Sequence, residues 1–309
     1  MSAIYPRVAF IGLGLIASSM ALSMRAAGLC KTIVGHARSK ETREVALEMG
    51  LVDAVYESAA QAVKDADLVV LALPVGAMGA IAAEIGPYLK GGATVTDVGS
   101  VKEAVILAVT PYLPKNVHFI PGHPIAGTEY SGPRAGFVQL FQGRWWLLTP
   151  QVGVDQQALG RLRNLCVAMG AKVDMMDATH HDLVLAVTSH TPHLIAYTMV
   201  GVADDLERVT DSEVIQYSAA GFRDFTRIAS SDPTMWRDVF LNNQEATLEI
   251  LGRFTEELSR LQEAIRNGDG AYLHAYFIRT RAIRSNIIEA GQDTSAPNFG
   301  RDTKDPKVQ

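Results

Sequence analysis

Cysteine is scarce in this chain, which has two among 309 residues. Cys30 and Cys166 lie far apart in the sequence, and neither belongs to a CxxC pair. This excludes a disulfide framework and a cysteine-based zinc site, because both need paired or clustered thiols. We expect the two residues to act as small apolar side chains in the interior.

The chain also has no excess of basic residues. Lys and Arg number 28 against 33 Asp and Glu, and the formal net charge is -5. Proteins that bind nucleic acid or an anionic membrane carry a basic patch, so we expect neither partner. No apolar run approaches the ~20 residues of a membrane span, and the first six residues lack the pattern of a signal peptide. A cytoplasmic location is therefore expected.

Short apolar runs alternate with helical patterns up to residue 176. The runs are 7–11, 32–35, 68–73, 94–97, 117–120, 145–149 and 172–176, and the helical patterns are 18–27, 40–49, 75–89, 101–112 and 156–169. This alternation predicts an α/β fold with a doubly wound, Rossmann-type parallel sheet. Only helical patterns follow, so we predict a dinucleotide-binding Rossmann domain over 1–176, an all-helical domain over 177–290 and a disordered tail over 291–309.

A glycine-rich turn follows the first apolar run. Residues 12–17 read GLGLIA, which has the GxGxxA spacing between a strand and a helix. Such a turn lets amides at the helix N-terminus face a pyrophosphate, whose charge the helix dipole favours. A purely structural turn is the alternative. The second apolar run, at the expected distance, favours dinucleotide binding.

A histidine stands in a segment that a helix cannot continue. Residues 122–129 read GHPIAGTE, and Pro124 forces His123 out of the helical region. Because the apolar run 117–120 comes directly before, we expect His123 in a loop just past the carboxyl end of a strand, where α/β sheets bind ligands. A histidine that only hydrogen-bonds its own loop is the alternative.

Four of the eight histidines lie in two neighbouring groups, THHD at 179–182 and SHTPH at 189–193. A metal site needs three or four converging ligands, and neither an HExxH motif nor a cysteine pair is present, so we predict no metal. A helix interrupted at Pro192, with polar side chains lining a cavity, fits the pattern better. Core histidines satisfied by hydrogen bonds remain the alternative.

Two arginines and an aspartate follow among aromatic residues, in the segment GFRDFTR at 221–227. A guanidinium binds a carboxylate through two parallel hydrogen bonds, so this segment suits a carboxylate site. Arginines that pair with local acids at the start of a helix explain the spacing equally well.

A long helical pattern begins at Asp232, which we expect to cap the helix before Pro233, and runs without interruption to Asn267. Residues with seven-residue spacing form a seam within it: Phe240, Thr247, Phe254 and Leu261, and likewise Leu251, Leu258 and Ile265. Such a seam packs against another helix, within the domain or across a dimer.

Together these segments resemble one family. The segments GLGLIA (12–17), DVGSVK (97–102), GHPIAGTE (122–129), SHTPH (189–193) and FRDFTRIASSDPTMWRD (222–238) are similar, in this order, to those of the prephenate/arogenate (cyclohexadienyl) dehydrogenases of tyrosine biosynthesis. The resemblance covers most of residues 7–290. It implies NAD(P)-dependent oxidative decarboxylation of prephenate or arogenate to 4-hydroxyphenylpyruvate or tyrosine, by a homodimer whose helical domain closes the active site.

The resemblance also implies roles for single residues. His123 is the implied general base, and Ser100 is its implied hydrogen-bonding partner. The implied substrate pocket is lined by Ser189, His190, His193 and Arg227. Thr191 departs from the family, where leucine is common, and this changes the polarity of the pocket. A neutral imidazole, with an unperturbed pKa of ~6.5, suits proton acceptance near pH 7.

Cofactor contacts are predicted at the turns that follow four strands. The residues are Gly12, Gly14, Leu15, Ile16, Ala37, Arg38, Ser39, Leu73, Pro74, Val75 and Ser100. An acidic residue often stands in the family where this chain has Ala37, and such a carboxylate repels a 2′-phosphate. Arg38 can pair with that phosphate and Ser39 adds a hydroxyl, so we expect NADP to be favoured, with NAD possible. A solvated Arg38 and a site that accepts both cofactors is the alternative.

Two other functions remain open from the residues alone. A β-hydroxyacid or imine reductase also pairs such a cofactor domain with long helices, although it does not explain GHPIAGTE together with SHTPH. A dinucleotide-sensing regulatory module without turnover would leave His123 and Arg227 idle. The sequence leaves undecided whether prephenate or arogenate is preferred, and whether tyrosine, which resembles the product, inhibits.

Overall fold

The structure, a computed structural model, describes residues 3–128, 130–210 and 216–289. Glu129 of the GHPIAGTE segment and the tail predicted over 291–309 lie outside the described residues.

The described strands form two sheets. They are β1 Tyr5–Ile11, β2 Cys30–His36, β3 Ala54–Tyr56, β4 Leu68–Leu71, β5 Thr94–Asp97, β6 His118–Phe119, β7 Gly122–Pro124, β8 Trp145–Leu148 and β9 Lys172–Met175. The larger sheet has the order β3-β2-β1-β4-β5-β6, and all its neighbours are parallel. This confirms the doubly wound Rossmann-type sheet. From β1 the next two strands are added on one side of the sheet, and β4 to β6 are added on the other side. This reversal places a ligand-binding crevice beyond the carboxyl ends of β1 and β4.

Helices connect many of the strands, and after β9 the regular structure of the described chain is helical. They are α1 Leu15–Ala26, α2 Lys40–Glu48, α3 Ala59–Val63, α4 Met78–Ile85, α5 Glu103–Val109, α6 Gln156–Ala168, α7 Ala178–Leu185, α8 Thr191–Thr210, α9 Ala220–Thr226, α10 Pro233–Asn242, α11 Gln244–Arg266 and α12 Gly270–Glu289. A π-helical segment, Ala186–His190, joins α7 to α8.

Both faces of the larger sheet are buried. In β1, Val8 and Phe10 pack into a cluster that contains residues of α1 and α6. Ala9 and Ile11 point to the opposite face, where a second cluster contains residues of α3, α4 and α5. Alternate residues of one strand thus fill two cores, which explains why the strand sequences are apolar throughout.

The last two predicted strands do not extend the parallel sheet. Instead, β8 pairs in parallel with β9, and β7 pairs antiparallel with β8 in a separate sheet. His123 lies opposite Leu147 in this pairing. The prediction of a loop at His123 was therefore wrong, because residues 122–124 form ladder hydrogen bonds with β8.

Two predictions about helix continuity also need correction. The helical distortion near Pro192 is the π-helical segment just before it, and Pro192 stands within the first turn of α8. The helix that begins after Asp232 is capped as predicted, since the Asp232 side chain accepts a hydrogen bond from the Met235 amide. It is interrupted at Asn243, however, whose backbone leaves the helical region with φ -123° and ψ 48°.

The described residues form two compact units, one that ends at Ile250 and one that starts at Leu251. All the predicted site residues belong to the first unit. The second contains most of α11 and all of α12. The domain boundary after residue 176 coincides with the end of the strands and stays a prediction.

One helical segment, Ala178–Arg208, is long and apolar enough to cross a membrane by length and composition, with a mean hydropathy of 1.2. Within it His181, Asp182 and His190 are buried. These polar side chains hydrogen-bond residues of the same compact unit. The core helix of a globular protein passes the same test of length and composition, but only 28% of the apolar window of this segment is buried.

Candidate active site

The glycine-rich turn forms an anion cradle at the end of β1. Gly12 has φ +97°, and a Cβ there would lie 2.0 Å from the carbonyl oxygen of Ala72, so no other residue fits. Gly14 is the N-cap of α1, and a Cβ at Gly14 would point into open space. The helix begins at Leu15, three residues earlier than predicted. It has no side-chain cap and no acidic residue in its first turn, so its first amides are left for an anion, which fits the pyrophosphate of a dinucleotide.

The other predicted cofactor residues follow neighbouring strands of the same sheet. Ala37, Arg38 and Ser39 follow β2, residues 73–75 follow β4, and Ser100 follows β5. Because the strands are parallel, these turns share the sheet edge that carries the glycine-rich turn.

The turn after β2 is held by an arginine that the sequence analysis did not single out. The buried Arg43 donates from Nη1 to the carbonyl oxygens of Ala37, at 2.7 Å, and Arg38, at 3.2 Å. The Ser39 side chain accepts from the Thr42 amide and caps α2. The Arg38 side chain is exposed and forms no ion pair within the described part of the chain.

His123 is 8% exposed and points one ring nitrogen at a second histidine. Its Nδ1 lies 2.9 Å from Nε2 of His181. Burial lowers the pKa of His123 well below its usual value, and His181, Lys102 and His190 lower it further. The ring is therefore neutral at pH 7. Between His123 and Ser100 the structure shows no hydrogen bond, so His181 occupies the place that the resemblance gave to Ser100.

His181 is in turn held by Asp182. The His181 Nδ1 lies 2.8 Å from Asp182 Oδ1. The same carboxylate accepts from the backbone amides of Lys102, at 2.8 Å, and Glu103, at 2.9 Å. The two amide contacts fasten α7 to the start of α5. Burial lowers the pKa of His181, so this ring is neutral as well.

A buried lysine connects the end of β5 to the strand of His123. Lys102 forms an ion pair with Asp97 and donates to the Gly122 carbonyl oxygen at 2.8 Å. Asp97 also accepts from the Gly122 amide at 3.2 Å and from the Gly99 amide at 2.8 Å. A Cβ on Gly122 would lie 3.2 Å from the Asp97 carbonyl oxygen, so glycine permits this close approach. The network places His123 beside the turn that carries Ser100.

His190 is fully buried at the end of the π-helical segment. Its Nδ1 lies 3.0 Å from the Asn243 side-chain nitrogen, which also donates to the backbone carbonyl of Asp182 at 2.8 Å. Since a carbonyl only accepts, the Asn243 nitrogen is a donor and His190 Nδ1 is the acceptor. Burial lowers the pKa of His190 to about 4. Its Nε2 thus carries the proton; this buried atom has no hydrogen bond of good geometry among the described residues, although the Ser100 backbone is close enough to raise the pKa of the ring.

The remaining predicted pocket residues are connected through His193. The His193 ring stacks on Trp236 with 3.7 Å between ring centroids, and its Nδ1 lies 2.8 Å from the Ser189 carbonyl oxygen. Arg227 is close enough to lower the pKa of His193, although burial of that ring is the larger cause. Thr191 is buried, and its hydroxyl has no hydrogen-bond partner within the described part of the chain. The structure thus brings the SHTPH segment and the arginine-rich segment together.

Comparison with known proteins decides the family. Residues 20–175 match the description "Prephenate dehydrogenase, nucleotide-binding domain", and residues 177–279 match "Prephenate dehydrogenase, dimerization domain". The chain belongs to the prephenate dehydrogenase family.

Individual members of the prephenate dehydrogenase family are similar over nearly the whole chain. A cyclohexadienyl dehydrogenase of Zymomonas mobilis is 40% identical over 281 residues, which are 91% of this chain and 96% of that protein. The crystal structure of prephenate dehydrogenase from Aquifex aeolicus, in complex with hydroxyphenyl propionate and NAD+, gives a TM-score of 0.85 at 33% identity and covers 91% of this chain and 98% of that one. Arogenate dehydrogenase from Synechocystis gives a TM-score of 0.75 at 27% identity and covers 91% and 99%.

Several residues of this dehydrogenase site were missed by sequence reasoning. These are Asp97, Lys102, His181, Asp182, Trp236 and Asn243. Asp97 and Lys102 stood within a quoted motif but received no role. The adjacent His181 and Asp182 were considered as metal ligands, as cavity lining or as hydrogen-bonded core residues, and neither received a role beside His123. In the described ranges, no group of three or more His, Cys, Asp or Glu residues is arranged to hold a metal ion.

Proposed function

We propose that this dehydrogenase oxidatively decarboxylates prephenate or arogenate, with His123 as the general base. The observation that carries the proposal is the state of the His123 ring, which is neutral and uses Nδ1 for a contact with His181. Its Nε2 has no hydrogen-bond partner in the described ranges. That nitrogen is therefore the atom left to accept a proton from a substrate hydroxyl.

The reaction joins three bond changes at the substrate ring. A nicotinamide dinucleotide held at the glycine-rich turn would supply the hydride acceptor for the ring carbon that bears the hydroxyl. His123 Nε2 accepts the proton of that hydroxyl while positive charge develops on the carbon. The bond from the ring to the carboxylate breaks, its electron pair completes the aromatic ring and carbon dioxide leaves. His123 then returns its proton to the phenol oxygen of the product.

The other side of the pocket binds the substrate's charged groups. His190 presents a proton on Nε2 beside the Ser100 backbone, and the ring stays neutral because its pKa is about 4. This buried proton has no hydrogen bond of good geometry, so an oxygen of the substrate is suited to accept it. Arg227, near His193, is suited to bind a substrate carboxylate. Ser100, Ser189 and His193 complete the proposed lining.

The cofactor preference proposed is NADP over NAD. Ala37 provides no carboxylate at the end of β2. Arg43 donates to the carbonyl oxygens of Ala37 and Arg38, which fixes the backbone of the turn from which the exposed Arg38 side chain extends. Ser39 caps α2, whose first turn contains the acidic Glu41, so the proposed phosphate contact depends on Arg38 and on the absence of a carboxylate at Ala37. These features support a phosphate contact at Arg38.

A cytoplasmic homodimer is the proposed form of the protein. The dimerization domain of the family corresponds to residues 177–279. On α11, the seam residues Phe254, Leu258 and Ile265 are 37%, 45% and 67% exposed. Large apolar side chains exposed at seven-residue spacing suit a partner helix from a second copy.

The test of the activity is an absorbance assay for the reduced nicotinamide. Purified protein is given NADP or NAD with prephenate, arogenate or a simple β-hydroxyacid. We expect turnover with prephenate, arogenate or both, accompanied by carbon dioxide release. Turnover of the hydroxyacid alone would indicate a reductase of related architecture, and cofactor binding without any turnover would indicate a sensing module.

A further inference from the structure

We propose that His181 and Asp182 are positioning residues, which hold His123 in the tautomer that carries its proton on Nδ1. The proposal rests on the proposed role of His123 as the base. It adds two residues that neither touch the substrate nor take its proton, yet decide which nitrogen of His123 is free to accept one.

The argument starts at the Asp182 carboxylate. Its two oxygens accept from the Lys102 and Glu103 amides. Both of these neighbours can only donate, because a backbone N–H has no acceptor capacity. An ionised carboxylate only accepts hydrogen bonds, so the third neighbour, His181 Nδ1 at 2.8 Å, also donates.

The next step follows from the chemistry of a neutral imidazole, in which one nitrogen donates and the other accepts. With its proton on Nδ1, His181 has an acceptor at Nε2. The atom that faces this acceptor is His123 Nδ1, at 2.9 Å, so His123 donates from Nδ1. Its own lone pair is then on Nε2, the nitrogen that the pocket leaves without a partner.

The hydrogen bonds from Asp182 through His181 to His123 also suit the charged state of His123 during the reaction. When Nε2 has accepted a proton, Nδ1 still donates to His181, so no hydrogen bond has to break. The Asp182 carboxylate stabilises the positive charge through the intervening ring. This stabilisation acts at a site where burial and nearby positive groups, Lys102 among them, oppose protonation of His123.

The geometry is rigid because Asp182 is held from both sides. Its side chain is fastened to the start of α5, and its backbone carbonyl accepts from Asn243. The rings of His123 and His181 meet edge to face, with 5.1 Å between centroids. The His181 ring has no exposed surface, so water does not compete for its nitrogens.

The direct test is the tautomer of His123 in the native protein. Histidine is labelled with 15N, and long-range proton–nitrogen spectra at pH 7 distinguish a protonated Nδ1 from a protonated Nε2. The His123→Asn variant identifies the signals of His123. We expect the proton on Nδ1 in both His123 and His181. A His123 ring with its proton on Nε2 would overturn the proposal, whatever the kinetics show.

Kinetics of four variants complete the test. Asp182→Asn can donate to His181 and reverse both tautomers, and His181→Phe removes the acceptor, so each should lower kcat by at least about tenfold with little change in the Kd of the cofactor. His181→Gln keeps an acceptor oxygen and should retain more activity than His181→Phe. The exposed neighbour His180 provides the matched control, since His180→Phe should leave kcat within twofold. A kcat within twofold of the native enzyme in His181→Phe would overturn the proposal.

The results would differ if His123 were not the general base but His181 still set its tautomer. If His123→Asn kept its turnover, His123 would not be the base, while the spectra of the native protein would still report whether His181 sets its tautomer.

Discussion

The depressed pKa of His123 decides how activity depends on pH. Burial is the main cause, and His181, Lys102 and His190 add to it. A general base works in its neutral form, so activity is present above the folded pKa and is lost as the pH falls through it. We expect kcat/KM to stay constant from neutral pH down past 6.5, with the acidic limb only below that value. An acidic limb at or above 6.5 that disappears in His123→Asn would contradict this.

Arg227 is predicted to act mainly in substrate binding. A carboxylate contact that is equal in the ground and transition states lowers KM without raising kcat. Hydrogen bonds to charged groups contribute about 1.5–3 kcal/mol, so Arg227→Ala should raise KM by roughly tenfold or more. Steady-state kinetics measure the split, and Arg223→Ala is the control on the same segment. An unchanged KM for Arg227→Ala with a raised KM for Arg223→Ala would assign the contact to Arg223.

Sequence motifs pointed to individual residues of the candidate site, but not to the contacts between those residues. His123, His190, His193 and the arginine-rich segment could be predicted because histidine and arginine carry recognisable chemistry within the quoted motifs. The pairing of His123 with His181 could not, because it joins residues 58 positions apart. No periodicity in either segment specifies such a contact.

The turn between β2 and α2 is predicted to select the cofactor. In this turn Ala37→Asp adds a carboxylate that binds the ribose hydroxyls and repels a 2′-phosphate, and Arg38→Ile removes the phosphate partner. The double variant should therefore swing the ratio of kcat/KM from NADP toward NAD. A native enzyme that already prefers NAD by tenfold, about 1.4 kcal/mol, would contradict the interpretation of this turn.

The break between α10 and α11 shows why the predicted helix was too long. Residues 233–267 are helical in composition, and local propensity provides no reason to stop at Asn243. The reason is tertiary, since the Asn243 side chain bridges the Asp182 carbonyl and the His190 ring. The separate sheet of β7, β8 and β9 has a similar origin. Apolar strands were predicted correctly, but their partners depend on long-range pairing.

The fold as a whole was more predictable than its parts. Strand–helix alternation up to residue 176 and purely helical patterns afterwards depend on hydrophobic periodicity, which the burial of both sheet faces imposes on the sequence. The dinucleotide cradle was predicted for a related reason. Glycine at position 12 is required by its backbone conformation and by the approach of Ala72, and such a requirement is visible in the sequence.

Assembly of two chains is the prediction for the whole protein. The exposed seam residues of α11 should be covered by a second copy, so light scattering at micromolar concentration should give twice the 33.4 kDa mass of the chain. Leu258→Glu together with Ile265→Glu should weaken the dimer, whereas Glu256→Gln, outside the seam, should not. A monomeric mass for the native chain would refute the prediction.

The turnover of the His123→Asn variant tests the account most directly. Asparagine keeps a polar side chain of similar reach but cannot accept a proton, and general-base assistance typically contributes 10²–10⁴-fold. We expect kcat with prephenate or arogenate to fall by about that factor, while the Kd of the cofactor and the thermal unfolding temperature stay near those of the native enzyme. A folded His123→Asn variant with near-native kcat would contradict the central claim that His123 is the general base.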